Sequence, residues 1–266
     1  MKLRFSRSQL CIPYALFLAV FVVLPLVIVF YFALTDKNGN FSFANFGRFF
    51  TDSALISTLI VSVAIGAATT ILCLLLGYPV AYILARSGWR RKNVLLLLFV
   101  MPMWINFVLR INALKEFMQL IGVLGKYNFL NTVFGMVYDF LPFMILPLYT
   151  TLIKIDRSLL EASADLGANP ATTFLSVTLP LSTPGILSGI TMVFMPTMTA
   201  YVISDALGLG HVVILGKQIE HYFGSGDNWN LGSAIALVLL LVVFASTFLS
   251  NRFKDNGVEQ KGRALW

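Results

Sequence analysis

Two histidines, His211 and His221, and two cysteines, Cys11 and Cys73, are the side chains best suited to ligate a metal or act as a nucleophile in this 266-residue chain. None stands at the spacing that such chemistry needs: there is no H-E-x-x-H, no G-x-S-x-G and no paired cysteines. Both thiols lie in apolar runs, where a sulfhydryl packs as a small hydrophobe. G-V-L-G-K at 122–126 lacks the spacing of a phosphate loop and is followed by Tyr127 instead of Ser or Thr. The expectation is a chain without catalytic residues, metal or bound ATP.

The carboxylates are more informative. Asp139 stands inside the apolar run V-F-G-M-V-Y-D-F-L-P-F, where an acid costs about 2.5–3.5 kcal/mol to insert and is by default a functional-site candidate. It is either the partner of Arg110 or a neighbouring Asn or Ser, or an anionic point for an ammonium group on a transport path. Asp205, with Ser204 and Tyr201 beside it, is cheaper at an interface. Trp104, Tyr138 and Tyr201 offer aromatic faces that attract cations by about 0.5–2 kcal/mol each, although Trp and Tyr near span ends also serve as membrane-belt residues.

These residues must be positioned by membrane helices. Hydrophobic residues make up 58% of the chain and charged ones 12%, with a mean hydropathy of +0.83. Six stretches reach the roughly 20 residues that span a bilayer: about 11–34, 54–84, 94–109, 131–153, 185–204 and 231–249. The first is too long for a signal peptide and is read as a retained anchor. The net charge of +7 does not mark a nucleic-acid binder, because the bases sit at the ends of spans and form no stripe. Alternate flanks carry thirteen Lys and Arg against six, which by the positive-inside rule puts both termini and 154–184 in the cytoplasm. Prolines in nearly every span fit helices that kink, and the glycine-rich segment 205–230 reads as a flexible outer loop. One membrane domain across 1–266 is expected.

The segment 154–184 is polar and well punctuated. Ser158 and Glu161 read as a capping box that starts a helix. Leu159, Ala162, Ser163 and Leu166 recur at helical spacing, Glu161 and Asp165 lie one turn apart, and Gly167 ends the helix in a left-handed cap. Asn169 and Pro170 start a second short helix, with Pro180 and Pro184 marking its exit. A connector needs about 2–8 residues, and a membrane-surface helix carries basic residues. The acidic face therefore points to a cytoplasmic protein partner that takes the helix in a groove.

Glu161-Ala162-Ser163, then Gly167, then Val177-x-Leu179-Pro180 resembles the EAA loop of binding-protein-dependent ABC import permeases, with Ser163 in place of the third alanine and Val177 in place of isoleucine. The resemblance implies an all-α integral membrane protein with the six-helix type I importer fold. Its coupling helix would be formed by Leu159, Glu161, Ala162, Ser163, Asp165, Leu166 and Gly167, with Leu179 and Pro180 closing the motif. Implied partners are two copies of a cytoplasmic ABC ATPase holding ATP and Mg, a second permease subunit and an extracytoplasmic substrate-binding protein. The stretches L-L-L-G-Y-P-V-A-Y-I-L-A-R (74–86) and Y-V-I-S-D-A-L-G-L-G (201–210) are similar to permeases of spermidine/putrescine importers. For a polyamine cargo, Asp139, Asp205, Trp104, Tyr138 and Tyr201 would alternate carboxylates with aromatic faces. Another small cationic or organic solute remains an alternative. So do an ion-coupled secondary carrier with Asp139 as its coupling carboxylate, and a docking scaffold.

Overall fold

The computed structural model describes residues 11–88, 91–224 and 228–263. The basic residues Lys2, Arg4, Arg7 and Arg90 used in the orientation argument lie outside them. The regular elements of the described residues are all helices, apart from one isolated bridge between Thr35 and Phe41.

In order, α1 (Cys11–Leu18) passes through a π-helical turn into α2 (Leu24–Ala33), and α3 (Ala44–Thr51) precedes the long α4 (Ser53–Arg86). The pair α5 (Lys92–Val100) and α6 (Phe107–Leu120) follows, then α7 (Asn128–Leu152), α8 (Arg157–Asp165), α9 (Pro170–Thr173) and α10 (Leu179–Thr197). The chain continues through α11 (Tyr201–Gly208), α12 (Leu215–Gly224) and α13 (Trp229–Arg263). Among the described residues, five helical stretches are long and apolar enough to cross a membrane: Pro13–Ala33, Ser53–Arg86, Asn128–Leu152, Pro170–Thr197 and Trp229–Phe248.

Two expected spans differ. The third, expected over 94–109, is bent by 94° between Val94–Trp104 and Phe107–Leu120, and makes a sixth crossing only if the bent pair counts as one. The cause is local: Met101–Trp104 tightens into a 3₁₀ turn, and the Asn106 side chain accepts hydrogen bonds from the backbone N–H groups of Val108 and Leu109, restarting the helix as an N-cap. The fifth, expected over 185–204, instead runs from Pro170 to Thr197, because α9 passes through a π-helical turn at Phe174–Thr178 straight into α10. The expected second short helix is therefore the start of this span, and Tyr201 opens a separate helix.

The described residues form two compact units. In the first, residues up to Ser57 with Lys217–Leu241, Ala33, Ala234 and Leu237 are buried together. The last carbonyls of α2, which no helical N–H can reach, and that of Thr35 just beyond it accept from side chains. Asn45 Nδ2 donates to the Ala33 and Thr35 carbonyls at 3.2 and 2.8 Å, and Asn230 Nδ2 to those of Phe32 and Thr35 at 3.0 and 2.7 Å.

In the second unit, Thr58–Gly216 with the residues from Val242 on, α7 is the buried centre: Met136, Met144, Ile145, Leu148 and Leu152 are fully enclosed. Along α7 lies α10, and glycines set how closely. A Cβ on Gly185 would come within 2.7 Å of Thr151 Oγ1, and one on Gly189 within 2.5 Å of the Met144 sulfur. This small-xxx-small spacing lets two membrane helices approach by backbone.

Within the segment 205–230, residues 225–227 lie outside the described residues, and 205–224 are not the flexible loop that the glycines suggested. Helices α11 and α12 occupy much of it, the Ser204 hydroxyl donates to the Val212 carbonyl, and Gly216 packs against the Thr199 backbone. Glycine serves close approach there.

Candidate functional site

The segment 154–184 is built by three caps. Asp156, extended at ψ 136°, accepts from the Ser158 N–H at 3.0 Å and starts α8. The N-cap is thus Asp156, two residues before the Ser158 of the expected capping box, and Ser158 supplies the donor. That hydrogen bond favours the ionised carboxylate and holds the Asp156 carboxyl below its ordinary value. At the other end Gly167 adopts φ +82°, its N–H bonds to the Ala164 carbonyl, and the Ala168 N–H reaches back to Ser163. This is the paired pattern of a Schellman motif, and it turns the chain sharply. Asn169 then accepts from the Thr172 N–H at 2.8 Å, as expected, and opens α9.

Ser163, which departs from the alanine of the resembled motif, is joined through its hydroxyl to Thr173 at 3.0 Å. The departure adds a polar tie across the Gly167 corner. No residue of α8 is buried: Leu159, Glu161, Ala162 and Asp165 are exposed, as is Leu166 just past its end, at 89%. Leu179 and Pro180 do not join that face. Leu179 packs against the core, and Pro180 lies in the first turn of α10.

The segment's ends are held by α4. Arg86 Nη1 donates to the Ile155 carbonyl at 3.3 Å, one residue before Asp156. Tyr78 Oη and Ser182 Oγ share a buried hydrogen bond of 2.8 Å. Sequence reasoning did not single out Tyr78, Arg86 or Ser182, since their partners lie 69 and 104 residues away.

The second cluster lies around Asp139. Its carboxylate forms an ion pair with Arg110 of α6, and both side chains are almost wholly buried. Arg110 Nη1 also donates to the Pro102 carbonyl at 2.5 Å, and its guanidinium lies 5.8 Å from the centre of the Tyr138 ring. Asp139, Tyr138 and Arg110 are thus one constellation, and Asp139 already has a cation on it. Trp104, two residues beyond Pro102, is 79% exposed at the tip of the bend. Tyr201 and Asp205 stand on α11, which packs against α6 and α7. Their position on a separate helix replaces the expected one at the end of the fifth span.

Compared with known proteins, residues 77–258 match the family described as binding-protein-dependent transport system inner membrane component. The chain belongs to this family.

As a permease component of an ABC importer, it is a multi-pass inner-membrane protein of a family without a catalytic site of its own. The matched range takes in Tyr78, the Arg110–Asp139 pair and the whole of 154–184. The permease is 36% identical to the spermidine/putrescine transport system permease protein PotB of Haemophilus influenzae, with 74% of this chain and 76% of that protein covered. Against PotB of Escherichia coli the identity is 33%, with coverage of 85% and 90%. Among solved structures, a bacterial alginate ABC transporter in complex with its alginate pentasaccharide-bound periplasmic protein overlays with a TM-score of 0.70 at 13% identity, covering 92% of each chain. At that identity the likeness is one of fold.

Proposed function

We propose that this permease is one membrane subunit of a type I polyamine importer, both termini cytoplasmic, that carries spermidine or putrescine received from an extracytoplasmic binding protein. Two copies of a cytoplasmic ABC ATPase supply the energy, and a second permease subunit completes the path. The face of α8 formed by Leu159, Glu161, Ala162, Asp165 and Leu166 docks in a groove of the ATPase, with the Gly167 corner passing its closure on to α10. One observation carries the docking reading: α8 buries none of its residues within this chain while its geometry is locked by caps at both ends. An apolar and acidic face fixed in shape but left uncovered fits a groove in a partner.

The polyamine assignment draws support from the two relatives above. It fits a path in which Tyr138, Trp104, Tyr201 and Asp205 attract ammonium groups without binding them tightly. Asp139 acts in that path as half of an ion pair, which weighs against its being the free coupling carboxylate of a secondary carrier.

The test is uptake of radiolabelled spermidine by sealed proteoliposomes holding the co-purified complex and its binding protein. Uptake that requires ATP and is abolished by Glu161→Lys supports the reading. Uptake without ATP overturns it in favour of an ion-coupled carrier, and ATP-dependent uptake of another solute alone overturns the polyamine assignment.

A further inference from the structure

Tyr78, Tyr82 and Arg86 recur every four residues on the last two turns of α4 and share one face of it. Arg86 holds the entrance of the 154–184 segment through the Ile155 carbonyl, next to the Asp156 cap. Tyr78 holds the exit through Ser182 in the first turn of α10. Phe174, which begins the π-helical turn leading to α10, stands edge-on to both tyrosines, its ring centre 5.7 Å from each at 89° and 90°. Eight residues of helix rise about 12 Å, so this stripe reaches both feet of the segment while leaving α8 itself uncovered.

From this geometry we infer that the stripe is a clamp, which makes the coupling segment and the end of α4 move as one body. The inference rests on the docking role proposed above. Displacement of α8 by its partner cannot be absorbed by swivelling at Ile155 or by unwinding at Phe174, since each foot is tied to the same helix. It must therefore appear as movement of α4 and, through the Gly185 and Gly189 contacts, of α7 and α10 together. Arg86 itself is a poor choice for stability alone. Its Nε and Nη2 are buried with no hydrogen-bond partner, an arrangement that is destabilising compared with an apolar side chain of similar length. Tyr78, Tyr82 and Arg86 are positioning residues, acting through the segment they hold.

The experiment uses the co-purified complex with Tyr78→Phe, Arg86→Met and Arg86→Lys. It measures ATPase retention, ATP hydrolysed per spermidine imported, and the distance between spin labels at Ile83 and Ala164 by pulsed electron resonance with and without nucleotide. Full retention of the ATPase by Glu161→Lys would overturn the docking reading, and with it the clamp. With docking intact, the clamp predicts that Tyr78→Phe raises the ATP consumed per spermidine about fivefold, the factor that goes with one lost hydrogen bond. Arg86→Met should raise it further, Arg86→Lys should restore part of the coupling, and the label distance should be sharp without substitution and broad in the variants. Equal loss of hydrolysis and uptake, or a label distance unaffected by Tyr78→Phe, overturns the clamp. The Tyr78→Phe arm keeps its ring and its packing, so the test does not depend on whether Arg86→Met folds.

Discussion

Arg110 on α6 and Asp139 on α7 neutralise each other at a depth where neither charge is solvated. Removing one partner leaves the other as an uncompensated buried charge, at a cost of about 3–5 kcal/mol, whereas replacing both by apolar residues of similar volume is often neutral. Asp139→Leu alone should lower the thermal midpoint of the purified permease by roughly 10 °C, and Asp139→Leu combined with Arg110→Met should recover most of that loss. The measurement is a double-mutant cycle by thermal unfolding in nanodiscs. Additive losses would mean that the pair is not coupled.

The Gly167 corner predicts a graded series. Its φ of +82° disfavours any side chain, and a Cβ there would meet nothing within 4 Å, so the backbone alone decides. An L-residue in that conformation costs about 1–2 kcal/mol, least for Asn. ATPase affinity, titrated against the reconstituted permease, should be nearly unchanged in Gly167→Asn and weakened about 5- to 30-fold in Gly167→Val. Equal weakening in both would point to a contact of the glycine with the partner.

Asp156 gives a pH dependence. Its folded value is depressed, chiefly by the Ser158 N–H, so the cap is fully present above the ordinary aspartate range and is lost as pH falls through the depressed value. Amide exchange of α8 in the native permease should therefore accelerate relative to Asp156→Asn below about pH 4, because asparagine caps without titrating. Parallel exchange in the two proteins down to pH 3 would place the cap elsewhere.

Local signals made much of the coupling segment legible. Gly167, Asn169 and Pro170 act on their own backbone neighbours, so their residue types were sufficient evidence. The start of α8 was placed two residues late because Ser158 and Asp156 are both good caps, and only geometry shows which one accepts. The bend after Trp104 has a readable signal in Asn106, an N-cap residue in the middle of an apolar run, where the hydropathy of its neighbours masks it. The ties from Arg86 to Ile155 and from Tyr78 to Ser182 left no such trace. A hydrogen bond across 104 residues depends on how helices stack, and nothing in either neighbourhood announces it. Asp139 stood between: its cost in the membrane was plain from sequence, and one of the two roles weighed for it, the pairing with Arg110, is what the helices bring about.

The Asn230 side chain binds the end of α2 from almost two hundred residues away. Translation at about 5–20 residues per second separates the emergence of Phe32 from that of Asn230 by roughly ten to forty seconds. During this interval Asn45 is the only one of the two asparagines available to the carbonyls that finish α2. The α2 segment therefore waits for α13 to be made before its terminus is complete. A ribosome stalled before Asn230 would leave α2 with its end still incompletely sealed, a natural point for quality control to distinguish unfinished chains from finished ones.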